Sequence, residues 1–263
     1  MRLILLLFVL VPFISIAQIN QTDANGLRQG LWEKRQPNGR LMYVGHFNDG
    51  KPVGEWKRFH PGGQVKAIIT YKENSDTAFT QLFDKHKNKL AEGNFVNQKK
   101  EGNWVYFLKG RKISEEQFLG GVKNGVAQQF YETGELLERV EWKNGKKEGK
   151  YETFYKNGSP YLQCKMHNDL RHGLCLVYYK NKKLQLEANY KNGLRHGEWK
   201  FYDDKGNLQY QLNYNNGKIL NPEVRDSIAA IKMQNLEKNR GTFTDPEKYL
   251  QDPSEYMRKT KIY

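Results

Sequence analysis

Glycine returns in this chain at a fixed interval. Gly30, Gly54, Gly102, Gly125, Gly149, Gly173 and Gly197 fall 24 residues apart, with one interval of 23 and one double interval whose midpoint is Ala78. A period of this length means a stack of equal supersecondary units, each touching only its neighbours. Other columns hold the same register. Two residues after the glycine come Trp32, Trp56, Thr80, Trp104, Ala127, Tyr151, Cys175 and Trp199. Five residues after it come Arg35, Phe59, Phe83, Phe107, Phe130, Phe154, Tyr178 and Tyr202. Near offset 17 come Phe47, Tyr71, Phe95, Phe118, Trp142, Met166, Tyr190 and Tyr214. Eight units therefore run from about residue 26 to 220.

Each unit carries two turn signals. One lies about nine residues in, at Gly39, Gly63, Gly158 and Gly206, and the other about twenty in, at Gly50, Gly145, Gly193 and Gly217. Asn-Gly and Asp-Gly supply the positive φ that tight hairpins require. Between turns, segments such as LQYQLNY (208–214) alternate with the period of two that marks a half-buried strand. Each unit reads as two short antiparallel strands, so the whole reads as an all-β meander of about sixteen strands. Its core is expected in the aromatic columns, among them Trp32, Trp56, Phe59, Trp104, Phe107, Phe130, Trp142, Phe154, Tyr178, Tyr190, Trp199, Tyr202 and Tyr214.

The pattern G-x-W-x-x-Y, then N-G-x-L, then Y-x-N-G-x-x-x-G resembles the MORN repeat, in its bacterial antitoxin-like variant. The resemblance implies β-hairpins stacked into one elongated antiparallel sheet. It is specific for fold and weak for function. Units one and three depart most, with Arg35 replacing a ring in the first, and Ala78 and Thr80 replacing Gly and Trp in the third. The third unit is expected to be locally irregular or specialised.

The ends do not repeat. Residues 1–17 combine Arg2, an apolar run from Leu3 to Ile16, and small Ser15 and Ala17, which predicts a secretory signal cleaved after Ala17. Residues 18–25 read as a linker. No other long apolar stretch follows, so the chain is expected to be exported to the periplasm or cell surface, soluble and not membrane-spanning. After Gly217, Asn221 and Pro222 fit a helix start, and Val224, Ile228, Ile231 and Leu236 approximate helical spacing. Residues 221–240 are read as an amphipathic helix that caps the last strand edge, or else as a partner-binding helix. In the tail, 241–263, Asp245, Pro246, Tyr249 and Leu250 are echoed seven residues on by Asp252, Pro253, Tyr256 and Met257. This duplication suggests a docking peptide; the alternative is a tail packed on its own sheet.

The formal net charge is +14, and residues 18–220 hold 34 Lys and Arg against 22 Asp and Glu. The basic excess therefore belongs to the repeats. It suits anionic lipid headgroups, acidic glycans or an acidic protein, or serves only to keep the repeats in solution. Nucleic acid is a poor fit for an exported protein.

No catalytic residues, metal ligands or cofactor emerge from the pattern. His172 and His196 occupy one column, and neighbouring units would hold them about 10 Å apart, too far to share a metal. Glu115–Glu116 and Asp203–Asp204 are sequence neighbours, and on a strand such pairs face opposite sides. Cys164 and Cys175 lie symmetrically about the turn at 168–171. In an exported protein they predict a disulfide, with two buried thiols as the alternative. The leading functional expectation is a non-catalytic scaffold that binds another protein of the bacterial cell envelope. A module for anionic lipid headgroups or envelope glycans comes second, and an antitoxin-like partner of a toxin third.

Overall fold

A computed structural model describes residues 18–73 and 75–238. The predicted signal segment and the tail motif (Asp245, Pro246, Tyr249, Leu250, Asp252, Pro253, Tyr256 and Met257) lie outside the described residues. Strands dominate, in one eighteen-stranded antiparallel sheet, and one α-helix follows them. The chain divides into two compact units. The first holds the described residues up to Gly149 with Lys156–Gly158; the second holds Lys150–Tyr155 and the described residues from Ser159 on.

In the first unit lie β1 (Gln21–Thr22), β2 (Arg28–Arg35), β3 (Leu41–Asn48), β4 (Lys51–Phe59), β5 (Val65–Tyr71) and β6 (Thr77–Phe83). They are followed by β7 (Lys89–Val96), β8 (Lys99–Leu108), β9 (Arg111–Leu119), β10 (Val122–Phe130) and β11 (Leu136–Lys143). The strand β12 (Lys146–Phe154) bridges the division. The second unit continues with β13 (Pro160–His167), β14 (Leu170–Tyr178), β15 (Leu184–Lys191), β16 (Leu194–Tyr202), β17 (Leu208–Asn215), β18 (Lys218–Ile219) and α1 (Pro222–Lys238). The sixteen expected strands are β2 to β17; β1 and β18 are two-residue additions.

Two turn types predominate. Asp49–Gly50, Asn97–Gln98, Gly120–Gly121, Asn144–Gly145, Asn168–Asp169, Asn192–Gly193 and Asn216–Gly217 are two-residue turns with positive φ at both positions. That geometry matches strand twist, and Asn, Asp and Gly tolerate it best. Lys109–Gly110 is a further two-residue turn of this kind, and in the β5–β6 connection Lys72 N donates to Thr77 O at 3.0 Å. The remaining turns are five-residue loops in which the first amide donates to the fifth carbonyl, as Gln36 N does to Arg40 O at 2.8 Å. The fourth loop residue is left-handed, whether glycine (Gly39, Gly158) or lysine (Lys87, Lys182). The periodic glycines have a different task. Gly30, Gly54, Gly102, Gly125, Gly149, Gly173 and Gly197 all carry positive φ. Beside several of them the register shifts, as between Val44–Lys57 and His46–Val53. Ala78 cannot adopt that backbone cheaply, and the β5–β6 pairing accordingly runs without a shift. This is the expected irregularity of the third unit.

One face of the sheet carries a largely buried row of residues that continues from strand to strand within each unit. In the first unit it passes from Trp32 to Gly45, Trp56, Ile69, Thr80, Gly93, Trp104, Glu116, Ala127 and Val140. In the second it includes Cys164, Cys175, Ala188, Trp199 and Leu212. Large and small residues alternate because an indole lies flat across the neighbouring strand. A Cβ added to Gly45 would come within 2.0 Å of Trp56 Cδ2, and one added to Gly93 within 2.5 Å of Trp104 Cδ2. Each indole N–H then donates to a carbonyl at the bulge: Trp56 to His46 (3.0 Å), Trp104 to Asn94 (2.9 Å) and Trp199 to Asn189 (2.9 Å). Of the aromatic residues expected in the core, Trp56, Trp104, Trp199 and Tyr214 are buried. Trp32, the first member of the row, is half-buried, as are Trp142 and Tyr190 beside it. Phe59, Phe107, Phe130, Phe154, Tyr178 and Tyr202 are half-buried on the opposite face.

The opposite face combines that ring column with charged pairs. Lys89 Nζ lies 4.9 Å from the Phe107 ring and Lys112 Nζ 4.4 Å from Phe130, and same-face neighbours such as Lys57–Glu55 and Lys200–Glu198 pair at 2.9 Å. Exposed pairs of this kind contribute little stability.

Both ends differ from the sequence reading. Residues 18–25 are more than a linker, because β1 pairs with β2 and Asn20 N donates to Leu31 O at 2.9 Å. At the other end α1 forms, yet it buries no residue, and Ile231, Met233 and Leu236 are exposed. Only Val224 and Ile228 are half-buried. The last edge is covered instead by β18 and by Asn221, whose side chain accepts from Asn213 N (2.7 Å) and donates to Gln211 O (3.0 Å). Asn221 thus serves the sheet. The apolar spacing along α1 is too loose to make a continuous stripe, and the amphipathic cap does not form.

Candidate binding face

The row-bearing face also carries cations with the repeat period. Two residues before the repeat glycine stand Arg28, Lys100, Lys123, Lys147, Arg171 and Arg195, with Pro52 and Asp76 at the remaining positions. In the first unit, Arg28 Cζ lies 4.8 Å from the Trp32 ring and 5.1 Å from Phe47. Lys100 Nζ lies 4.6 Å from Trp104, 5.1 Å from Tyr106 and 5.0 Å from Phe118, and donates to Tyr106 Oη at 2.7 Å. Lys123 and Lys147 both address Trp142, at 4.9 and 5.8 Å. In the second unit, Arg171 covers Tyr190 at 5.4 Å, and Arg195 covers Trp199 and Tyr214 at 4.9 and 5.3 Å. Each cation shields the rings beside the buried row while keeping its charged head near water.

The electrostatics follow from this placement. Burial holds the Lys100 ammonium below the usual lysine range; Glu116 opposes that shift and Lys123 adds to it. Burial raises the Tyr106 hydroxyl, and Glu116 raises it further. Glu116 is itself paired with Lys123 Nζ at 2.7 Å. A row of cations that contact rings, with few carboxylates beside them, attracts anionic groups.

The histidine column resolves into turn support. His196 Nδ1 accepts from Asn216 N at 3.4 Å, and His172 Nδ1 lies 3.3 Å from Asn192 Oδ1. Gln29 and Asn124, in the same column of other units, accept from the turn amides of Asp49 and Asn144, both at 3.1 Å. Among the described residues no group of His, Cys, Asp and Glu is arranged to hold a metal ion. A shallow cleft of about 430 Å³ holds His60, Pro61, Gly62, Gln64, Lys85 and His86. His60 Nε2 in that cleft is engaged with Phe83 O at 3.0 Å.

Cys164 and Cys175 are directly opposed in register and joined by a disulfide, with Cα atoms 4.2 Å apart. They occupy the buried row where other units place a small residue and an indole. The cation column went unnoticed in the sequence reading, although its period equals that of the glycines. Column-by-column reading two residues upstream would have found it.

Five segments, residues 52–73, 123–144, 147–168, 171–192 and 195–216, match the family described as MORN repeat variant. They are the second and the fifth to eighth units. A search of curated proteins finds no match. Among solved structures, two crystal structures of TarM are similar at 16% identity, with TM-scores of 0.23 and 0.24. One is a mutant of the S. aureus protein in complex with fondaparinux, alpha-GlcNAc-glycerol and UDP. Each alignment covers 49% of this chain and 22% of TarM.

Proposed function

We propose that the protein is a non-catalytic scaffold, exported into the bacterial cell envelope, that binds another protein through the cation-bearing face of its repeats. The observation that carries this reading is the periodic column of cations on the row-bearing face, Arg or Lys in six of eight units. That face lines up rings and exposed arginines from unit to unit, including Arg28 in the first unit and Arg171 and Arg195 in the second. The turns beside it expose Leu27 in the first unit and Leu170 and Leu194 in the second. Arg and aromatic residues at a rim with apolar neighbours is the composition of interaction hot spots. The segment 1–17 reads as a signal for export, and among the described residues no helix is long and apolar enough to cross a membrane.

Tagged protein expressed in a bacterial host is expected in the envelope fraction, processed after Ala17, and crosslinked to a discrete partner protein. The double variant Arg171→Glu, Arg195→Glu is expected to melt normally and to lose most of that partner. Cytoplasmic, unprocessed protein contradicts the envelope placement, and undiminished capture contradicts the role of the face. A second reading, binding of anionic lipid headgroups or envelope glycans, is favoured by the same cation row. It predicts capture that collapses with salt and needs no protein partner.

A further inference from the structure

The cation row has a gap. In the register that sets Arg195 over Trp199 and Tyr214, the position addressing Trp56 and Tyr71 is Pro52. No side-chain cation covers these rings from there, and a cleft of about 250 Å³ opens among Arg28, Tyr43, Phe47, Trp56, Arg58 and Tyr71, with Pro52 and Ile69 completing it. Its floor is Trp56, with Phe47 edge-on at 4.8 Å, Tyr43 tilted at 5.9 Å and Tyr71 edge-on at 6.3 Å. The Trp56 N–H is already donated to His46 O at 3.0 Å and the indole is buried, so the cleft offers an apolar floor shared with the half-buried rings of Tyr43, Phe47 and Tyr71 rather than a donor.

The charges decide what fits. Four rings alone would suit a cation, as in the other units. Here Arg58 stands beside Tyr71, in a column where the first repeat places Lys34 and later units Tyr106, Val177 or Phe201, and Arg28 forms the opposite rim. Two guanidinium groups at close range outweigh the attraction of a cation to a ring, so the occupant must be neutral or negative. The polar groups available are two guanidiniums and two phenol hydroxyls. An extended peptide supplies in one segment both an apolar side chain for the rings and separate carboxylates for the two guanidiniums. We propose that this cleft is a docking site for an acidic peptide of a partner protein, with an apolar side chain seated on Trp56 and flanking carboxylates held by Arg28 and Arg58. The proposal deepens the scaffold reading, on which it rests, by naming the chemistry the partner presents.

The test uses the full chain and a fluorescein-labelled hexapeptide with Leu-Phe at its centre and two acidic residues on each side, followed by anisotropy. Pro52→Lys restores the missing rung and should fill the cleft, while adding positive charge. It is expected to weaken binding about tenfold or more, and Arg58→Ala by a similar factor. A mere electrostatic attraction would be strengthened by Pro52→Lys, so unchanged or tighter binding by that variant overturns the proposal. Preference for a lysine-flanked version of the peptide overturns it too, as does equal binding of a version with Ala-Ala at its centre. So would competition by glucuronate or by vesicles of anionic lipid with an unaffected Pro52→Lys variant. If peptide binding fails while Arg171→Glu, Arg195→Glu still releases the partner, the scaffold reading stands and only this docking site falls.

Discussion

Replacing Trp104 by alanine is expected to destabilise the first unit by about 3–5 kcal/mol, the range for emptying a buried aromatic site. The residue is 0% exposed, a degree of burial that a sheet with no second layer achieves only by local means. The indole lies on Gly93, meets Phe95 edge-on at 4.9 Å, and is roofed by Tyr106 and by Lys100 at 4.6 Å. None of these groups is free to collapse into the void. Gly93 has no side chain, and Lys100 would be left over an apolar hole. The Asn94 carbonyl also loses its donor. Urea unfolding followed by circular dichroism measures the loss, with Trp32→Ala as comparison. Trp32 is only half-buried at the first full strand, so its loss should cost clearly less. Equal effects at the two sites would contradict a core concentrated in the buried row.

The second large effect is expected from the disulfide. Cys164 and Cys175 are 11 residues apart, and closing a loop of that size in the unfolded chain contributes about 3 kcal/mol in the chain-entropy account. The bridge also fills the row, since both cysteines are buried, at 5% and 2% exposure. Here it stands in for an indole on a small residue. Reductant should lower the stability of the second unit by about this amount. The variant Cys164→Ala, Cys175→Ala should start from the lower value and respond to reductant no further. A reductant-insensitive wild-type protein would show that the bridge contributes nothing.

How much of this was readable beforehand depends on the kind of residue. Glycine and ring columns recur with a rigid period, so the hairpins, the turns and the irregular third unit followed from spacing alone. Gly45 and Gly93 were not flagged, because their neighbours in the column are Ile69, Val140, Cys164 and Leu212. Only the flat indole on the next strand explains why a side chain is excluded there. The cations were hidden for a related reason: the column mixes Arg and Lys and two units lack them, so it looks like ordinary surface charge. The absence at Pro52 turns out to be the informative part. Helix α1 misled in the opposite direction. Its apolar residues approximate helical spacing, but β18 and Asn221 already cover the edge, so only the first turns pack back, with Val224 against the core and Ile228 half-buried. His172 and His196 look chemical in isolation and act as turn supports once the neighbouring asparagines are seen.

The central claim is that the ring-and-cation face is the one used for binding. Lysine-reactive labelling of the protein, free and bound to the proposed partner once captured, tests it most directly with mass-spectrometric readout. Lys100, Lys123 and Lys147 lie on that face, whereas Lys57 and Lys200 lie on the other. Lys100, held below the usual lysine range by burial, should keep the more nucleophilic neutral amine wherever reagent reaches it. The predicted result is that the partner protects lysines of the first set and leaves Lys57 and Lys200 as reactive as before. Protection of Lys57 and Lys200 with Lys100, Lys123 and Lys147 unchanged would contradict the account.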